Sequence, residues 1–336
     1  MKKTILLLST ILCLKTFGKT CIENRAAIHM GAGSTGLVVA TIDFCNIEIS
    51  KFLLEKRTFI DFITPLKKDD NKIPQPLQIL AINKIKELMA SAKNFKPTSI
   101  VFIPSKFFKE TKNYMTFFKK IKKELKVKIY LPNLETEAIL GYLGVKIKYP
   151  DIATKLLVWN TGAHGTNWTM QKNNSEFKVY YEKINPIIFK NMVTEGILKK
   201  DHKKINSPNP LGSKNTKEAL ELIKLYTTYN TPPELKKIAN EFKVVGIGSF
   251  HNLSIMKQIG KKGASYNLEL LESTLRKREN LKDKEIGGPY PEYQITNLIM
   301  AMGILNSMKL DQIHTARINM AHGALIYPKF WKKTGN

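Results

Sequence analysis

The sequence predicts an α/β protein built from two copies of one plan that face each other across a cleft. Three observations carry this prediction. Strand-like apolar runs alternate with helical periodicity along most of the chain. A hairpin meander opens near Arg25, and the same pattern restarts near Lys155. A glycine-rich bend follows the leading strand of each copy, at residues 31–35 and 162–166. A chain of 336 residues can supply two such units, each with its own core.

The first residues stand apart. Met1, Lys2 and Lys3 make a positive start, and residues 4–14 are apolar but too short to span a bilayer. With small residues at Thr16 and Gly18, residues 1–18 read as a signal peptide, the alternative being an uncleaved anchor. No later stretch is long and apolar enough for a transmembrane helix. The mature chain is therefore expected to be exported, periplasmic or secreted. Two cysteines remain in it, Cys21 and Cys45, flanking strand-like runs at 25–30 and 37–43. Paired as a hairpin centred on Gly33, these runs set Ala26 opposite Ala40 and Cys21 opposite Cys45. A disulfide there closes a loop of about 25 residues and contributes roughly 3–4 kcal/mol through loop entropy. Two free thiols are the alternative.

The remainder of the first unit (22–148) reads as a strand at 51–57, a polar loop at 63–75 and a helix at 77–92. A strand at 99–103 follows, then a helix capped by Ser105 and running through Leu125. A strand at 127–131 and a helix at 135–145 complete it. The second unit (149–336) opens with strands at 155–160, 166–172 and 177–184. Helices are expected at 186–198, 217–228, 233–241, 252–259, 268–278 and 293–308. Strands at 242–245 and 313–318 alternate with them, and the C-terminal segment packs back on the first unit. Within residues 156–169 a buried strand, a glycine-rich bend and a returning strand bring backbone N–H groups to a sheet edge, where they can hold an anion. An ordinary hairpin is the alternative.

The chain is strongly basic, with 54 Lys and Arg against 28 Asp and Glu and a net charge of +26. Removing Lys2, Lys3 and Lys15 with the leader leaves +23 (26 − 3). Such a surface favours polyanions: nucleic acid, polyphosphate, phosphorylated lipid or acidic glycan. No sequence signature of DNA or RNA recognition accompanies it.

Five stretches together carry a resemblance. Residues 25–35 (RAAIHMGAGST) resemble the opening strand and turn of the exopolyphosphatase/guanosine pentaphosphate phosphatase (Ppx/GppA) family. Residues 137–145 (EAILGYLGV) resemble its E-A-R-L-x-x-x-G helix, and 158–166 (VWNTGAHGT) its second phosphate loop, V-x-D-I-G-G-G-S-T. Gly246-Ile247-Gly248-Ser249 is similar to the glycine turn of the family's second domain, and 105–113 to a T-x-x-L-R-x-A-x-N segment. The resemblance spans nearly the whole mature chain. It implies two duplicated actin-like ATPase (ribonuclease H-like) domains with an interdomain cleft, and phosphoanhydride hydrolysis by in-line attack of water.

By that resemblance Gly31, Gly33, Ser34, Lys109, Gly162, Gly165, Thr166, Gly248 and Ser249 are expected to bind phosphate. Glu137 is expected to orient or deprotonate the water. The Mg²⁺ carboxylates of the family are replaced: His29 stands at the first-strand aspartate, and Asn160 and Asn167 in the second phosphate loop. His322 stands at the aspartate of an N-M-A-D-G pattern. Asn and neutral His bring no negative charge for Mg²⁺. Four of the six histidines, His29, His164, His251 and His322, fall in or beside these motifs. They suggest either a divalent transition metal held by His29, His164 and His322, or a cleft that has lost catalysis. Three functions stay open: a non-catalytic binder of polyphosphate or nucleotide polyphosphate, an exopolyphosphatase using Glu137 and a histidine-bound metal, and a secreted interaction protein. A homodimer is compatible with each.

Overall fold

The computed structural model describes residues 21–68, 70–152, 155–162, 165–173, 176–260 and 265–331. The leader and His164 lie outside the described residues. Among the described residues, eleven strands form two sheets. The first contains β1 (Ile22–Met30), β2 (Ser34–Asp43), β3 (Glu48–Phe59), β4 (Ser99–Pro104) and β5 (Lys128–Ile129), in the order β3-β2-β1-β4-β5. The second contains β6 (Leu156–Gly162), β7 (Gly165–Gln171), β8 (Phe177–Glu182), β9 (Lys243–Ile247), β10 (Ser265–Asn267) and β11 (Gln312–Thr315). Its order is β10-β11-β9-β6-β7-β8. Without the three-residue edge strand β10, it reads β8-β7-β6-β9-β11, which is the order of the first sheet. In each, an antiparallel meander is extended by parallel strands that follow helical crossovers. The duplication read from the sequence is present strand by strand.

One expectation is corrected at the first hairpin. Ala26 pairs with Val39 and Ile22 with Asp43, one residue away from the predicted register. The turn is tighter than a loop centred on Gly33, because the Gly31 N–H donates to the Ser34 carbonyl at 2.9 Å. A one-residue shift exchanges the faces of a strand. The predicted disulfide nevertheless joins Cys21 and Cys45, with Cα atoms 5.5 Å apart. Cys45 lies in the turn beyond β2, where the chain is free to bring it diagonally towards Cys21.

Other differences are local. Residues 63–68 are helical where a loop was expected, and the long helix begins only at Tyr114. Ser105 caps nothing with its side chain; it precedes a short 3-10 turn, Lys106–Glu110. Asn113 instead ties two loops together, accepting from the Ile73 N–H and donating to its carbonyl.

Two helices set the approach of the halves. The Leu134–Lys148 helix lies against the Met320–Ala324 helix and also against β6 and β7. Their backbones meet closely: a Cβ on Gly323 would sit 2.0 Å from the Leu140 carbonyl oxygen. Ala321, Ala324, Leu325 and Phe330 share an apolar cluster with Ala27, Val38 and Val101 of the first sheet. The C-terminal segment thus completes the core beneath β1 and β2, while Tyr142 and Val145 of the crossing helix pack with Val158 and Val245 of the second sheet. Among the described residues, no helix is long and apolar enough to cross a membrane.

Candidate functional site

The site is built around a row of three residues across the first sheet. His29 on β1 pairs with Gly36 on β2, and Gly36 pairs with Arg57 on β3. Directly paired residues point to one face, so His29 and Arg57 flank a gap left by glycine. Asn319 fills that gap. A Cβ on Gly36 would lie 2.2 Å from Asn319 Nδ2, so only glycine admits this approach. Asn319 is fixed in turn as the cap of the Met320–Ala324 helix, its Oδ1 accepting from the Ala321 N–H at 2.9 Å.

Arg317 comes two residues before Asn319 on the same segment. Its charge and, above all, desolvation by the surrounding protein hold the Arg57 guanidinium below its usual pKa. Neither arginine forms an ion pair with a described acidic residue. Arg57 remains charged all the same, since guanidinium does not lose its proton in proteins. His29 responds to this setting. Burial first, then the charges of Arg57 and His322, lower its pKa to about 3, so its ring is neutral at physiological pH. Its Nε2 is shut off from solvent without a hydrogen-bond partner.

The second sheet closes the other side. Asn252 Nδ2 donates to the carbonyls of Gly248 and Ala316, tying the β9 turn to the segment carrying Arg317. Gly248 has a φ of +88°, and a Cβ there would meet Asn160 Oδ1 at 3.0 Å. Asn160, Asn167 and Tyr181 lie in one row across β6, β7 and β8. The Gly31–Ser34 turn is held by N–H donations from Ile60 to Gly33 O and from Phe62 to Ala32 O. Tyr290 reaches it from the second half and donates its hydroxyl to Asp61 at 2.7 Å.

Glu137 lies in the first turn of the Leu134–Lys148 helix, whose cap Asn133 accepts from the Thr136 N–H. Its side chain is 8% exposed and accepts from the Lys106 main-chain N–H. Burial raises its pKa to about 7, against the opposing pull of that N–H and of the Lys106 and Lys109 charges. The carboxylates of Glu135 and Glu137 add to the burial that pushes Tyr181 up to about 12, which sets β8 beside the helix start. A buried carboxyl group titrating near neutrality can accept a proton from water.

Other expected residues go elsewhere. The Thr166 hydroxyl is buried, bonded to Thr161 Oγ1 and to the Ile184 carbonyl. Gly165 has a φ of +133° and allows the Glu182 carbonyl to approach, while Gly162 faces open space. Lys109 and Ser249 are exposed at the ends of their strands' following turns. His251 is a core residue: fully buried and neutral, it packs on Trp159 and Gly246 and bonds Tyr266. The Asn319 main-chain N–H donates to His322 Nδ1, so Nε2 carries the proton and donates to Glu55 at 3.0 Å. Lys148 pairs with the same carboxylate. His29 and His322 belong to no cluster of three or more ligating groups among the described residues.

These residues do not fit Mg²⁺. Where hard anionic oxygens are needed, the row around His29 offers a neutral imidazole, the Asn319 amide and two guanidinium cations, and the Glu55 carboxylate is already engaged by His322 and Lys148. Sequence reasoning missed Arg57 and Arg317, although a signal was present. Only five of the 54 basic residues are arginine: Arg25, Arg57, Arg276, Arg278 and Arg317. In a chain that otherwise uses lysine, the guanidinium fork marks positions with specific partners.

No protein-family profile matches the sequence, and no curated protein does. Solved structures do match. The Aquifex aeolicus PPX-GPPA enzyme has 15% identity and a TM-score of 0.70, over 91% of this chain and 99% of that one. An exopolyphosphatase from Cytophaga hutchinsonii has 14% identity and a TM-score of 0.67, over 94% and 100%. An exopolyphosphatase-like protein has 14% identity and a TM-score of 0.69. The chain therefore has the actin-like α/β fold of the Ppx/GppA structures.

Proposed function

We propose that this chain is a divergent, exported relative of the Ppx/GppA phosphatases that binds polyphosphate or a nucleotide polyphosphate between its two halves without Mg²⁺. The observation that carries this reading is the pair Arg57 and Arg317, which have no carboxylate partner among the described residues and flank His29 and Asn319. Two guanidinium groups present donors in planar forks suited to phosphate oxygens. They supply positive charge where the family resemblance expects metal ligands. A phosphate chain is a linear polyanion, so the lysine-rich surface adds a long-range attraction. The cysteine bridge fits an oxidising compartment, which supports export.

One observation favours a second reading, slow phosphoanhydride hydrolysis. Glu137 combines burial, a pKa near 7 and neighbouring Lys106 and Lys109 charges, as a base acting on water beside phosphate requires. Polyphosphate hydrolysis by the purified chain, measured with EDTA and with added divalent metals, separates the two. Binding without phosphate release supports the first reading. Release abolished by Glu137→Gln overturns it in favour of the second.

A further inference from the structure

The end of the first sheet away from the cleft carries an apolar tip. Seven residues of extended strand (29 − 22), at about 3.3 Å each, separate Ile22 from His29, so this end lies about 23 Å from the site. Ile22 begins β1 and is 51% exposed, and Ile47, in the turn between β2 and β3, is 49% exposed. Ile22 pairs with Asp43 and Asp43 with Glu48, so the two isoleucines stand on one edge, two strands apart. Folding does not account for Ile47. Its φ of +59° lies in the left-handed region, which disfavours a β-branched side chain and suits glycine or asparagine. An isoleucine kept in that conformation with its side chain in solvent points to a role outside the fold. The turn is also tied down. The Cys21–Cys45 bridge joins it to the residue before Ile22, the Phe44 N–H donates to the Cys21 carbonyl at 2.9 Å, and Asp43 accepts from the Cys45 and Asn46 N–H groups.

Positive charge gathers beside this tip. The helices Gln75–Ala92 and Tyr114–Leu125 both end here, because each leads back to the start of a strand parallel to β1 or β4. Lys93 and Lys96 follow the first helix, and Lys126 and Lys128 follow the second. All four are exposed, and none pairs with a described acidic residue. The register sets them next to Ile22: Arg25 pairs with Ser99, Val101 pairs with Lys128, and the Asn24 side chain donates to the Phe95 carbonyl. Of the described carboxylates nearby, Glu23 pairs with Arg25, Glu124 pairs with Lys86, Asp43 is folded onto its own turn, and Glu48 stays exposed. The leader read from the sequence, with Lys2, Lys3 and its apolar run at 4–14, joins the fold at this same end, just before Cys21.

We propose that this end of the first half docks on a membrane surface rich in anionic phospholipid headgroups. Lys93, Lys96, Lys126 and Lys128 meet the headgroup phosphates, and Ile22 and Ile47 enter the boundary with the acyl chains. Exposed apolar side chains beside unpaired lysines match a surface that is anionic outside and apolar just beneath. The disulfide holds the two isoleucines in one rigid tip, so their insertion orders no loop. The cleft, at the opposite end of β1, stays open to solvent while the tip is docked.

The test is co-sedimentation of the mature chain, without residues 1–18, with vesicles of phosphatidylglycerol and phosphatidylcholine and with vesicles of phosphatidylcholine alone. The chain binds the anionic vesicles and not the neutral ones. Replacing Lys93, Lys96, Lys126 and Lys128 by glutamine weakens that binding by about a hundredfold or more, at about fivefold for each lysine near an anionic surface. Glutamine at Lys199, Lys200, Lys203 and Lys204, four exposed lysines of the second half, removes the same charge and leaves binding within about twofold of the parent. Ile47→Asn, which accepts the left-handed backbone and so keeps the fold, weakens binding about fivefold. Arg57→Gln/Arg317→Gln binds vesicles as the parent does, so the outcome is independent of the cleft. The proposal is overturned if the anionic vesicles are not bound, if neutral vesicles bind equally, if the two lysine sets lose binding equally, or if Ile47→Asn binds as the parent does.

Discussion

Replacing Glu137 with glutamine should stabilise the fold, and by an amount that depends on pH. The native carboxyl group titrates at about 7 rather than at its ordinary 4.5, because burial disfavours the charged form. Between those two values the folded state holds a proton that the unfolded chain has released. Stability therefore falls as pH rises through this window, being fully present below 4.5 and lost above 7. A raised pKa of this size corresponds to about 3 kcal/mol. Glutamine is neutral throughout and keeps an oxygen to accept from the Lys106 N–H. Urea denaturation of both proteins between pH 4 and pH 8.5 measures the difference. The stability of Glu137→Gln minus that of the parent should rise by about 3 kcal/mol across the window, and any constant offset from the substitution drops out. A difference that stays flat with pH would refute the claim that Glu137 is a desolvated carboxyl group, and with it the case for a base at that position.

Three further outcomes follow from the geometry. Gly36→Ala drives a methyl group into Asn319 and should cost about 1–3 kcal/mol in denaturant unfolding, while weakening polyphosphate binding by displacing the segment that carries Arg317. Replacing both Cys21 and Cys45 by alanine should lower unfolding free energy by about 3 kcal/mol, from the closed loop of 24 residues' separation; an unchanged midpoint would show that the bridge does not form. Polyphosphate affinity should fall steadily as NaCl is raised, and a salt-insensitive affinity would contradict a mainly electrostatic mode.

The fold was legible because it rests on patterns that survive divergence. The restart of the meander at Lys155 is visible in apolar alternation, and both sheets have the strand order this implies. The hairpin register was misread by one residue because turn length, which sets it, depends on a single N–H to carbonyl bond at Gly31. Residue types such as His29, Asn160 and Asn167 were also readable. Their surroundings were not. His251 lies beside a glycine turn in sequence yet belongs to the core, because Gly246 leaves room for its ring. Arg57 and Arg317 are 260 residues apart (317 − 57), and only the crossing of the C-terminal segment over Gly36 brings them together. Motifs name the loops; the partners of each side chain come from the packing between distant segments.

The central claim is metal-independent binding of a phosphate chain by the arginine pair. Calorimetric titration of the purified chain with polyphosphate in EDTA tests it most directly, alongside Arg57→Gln/Arg317→Gln. Binding in EDTA that is lost by about a hundredfold in the double variant, at about tenfold for each charged hydrogen-bonding group, is the predicted result. Binding that requires added Mg²⁺, or that is unchanged in the double variant, would contradict it.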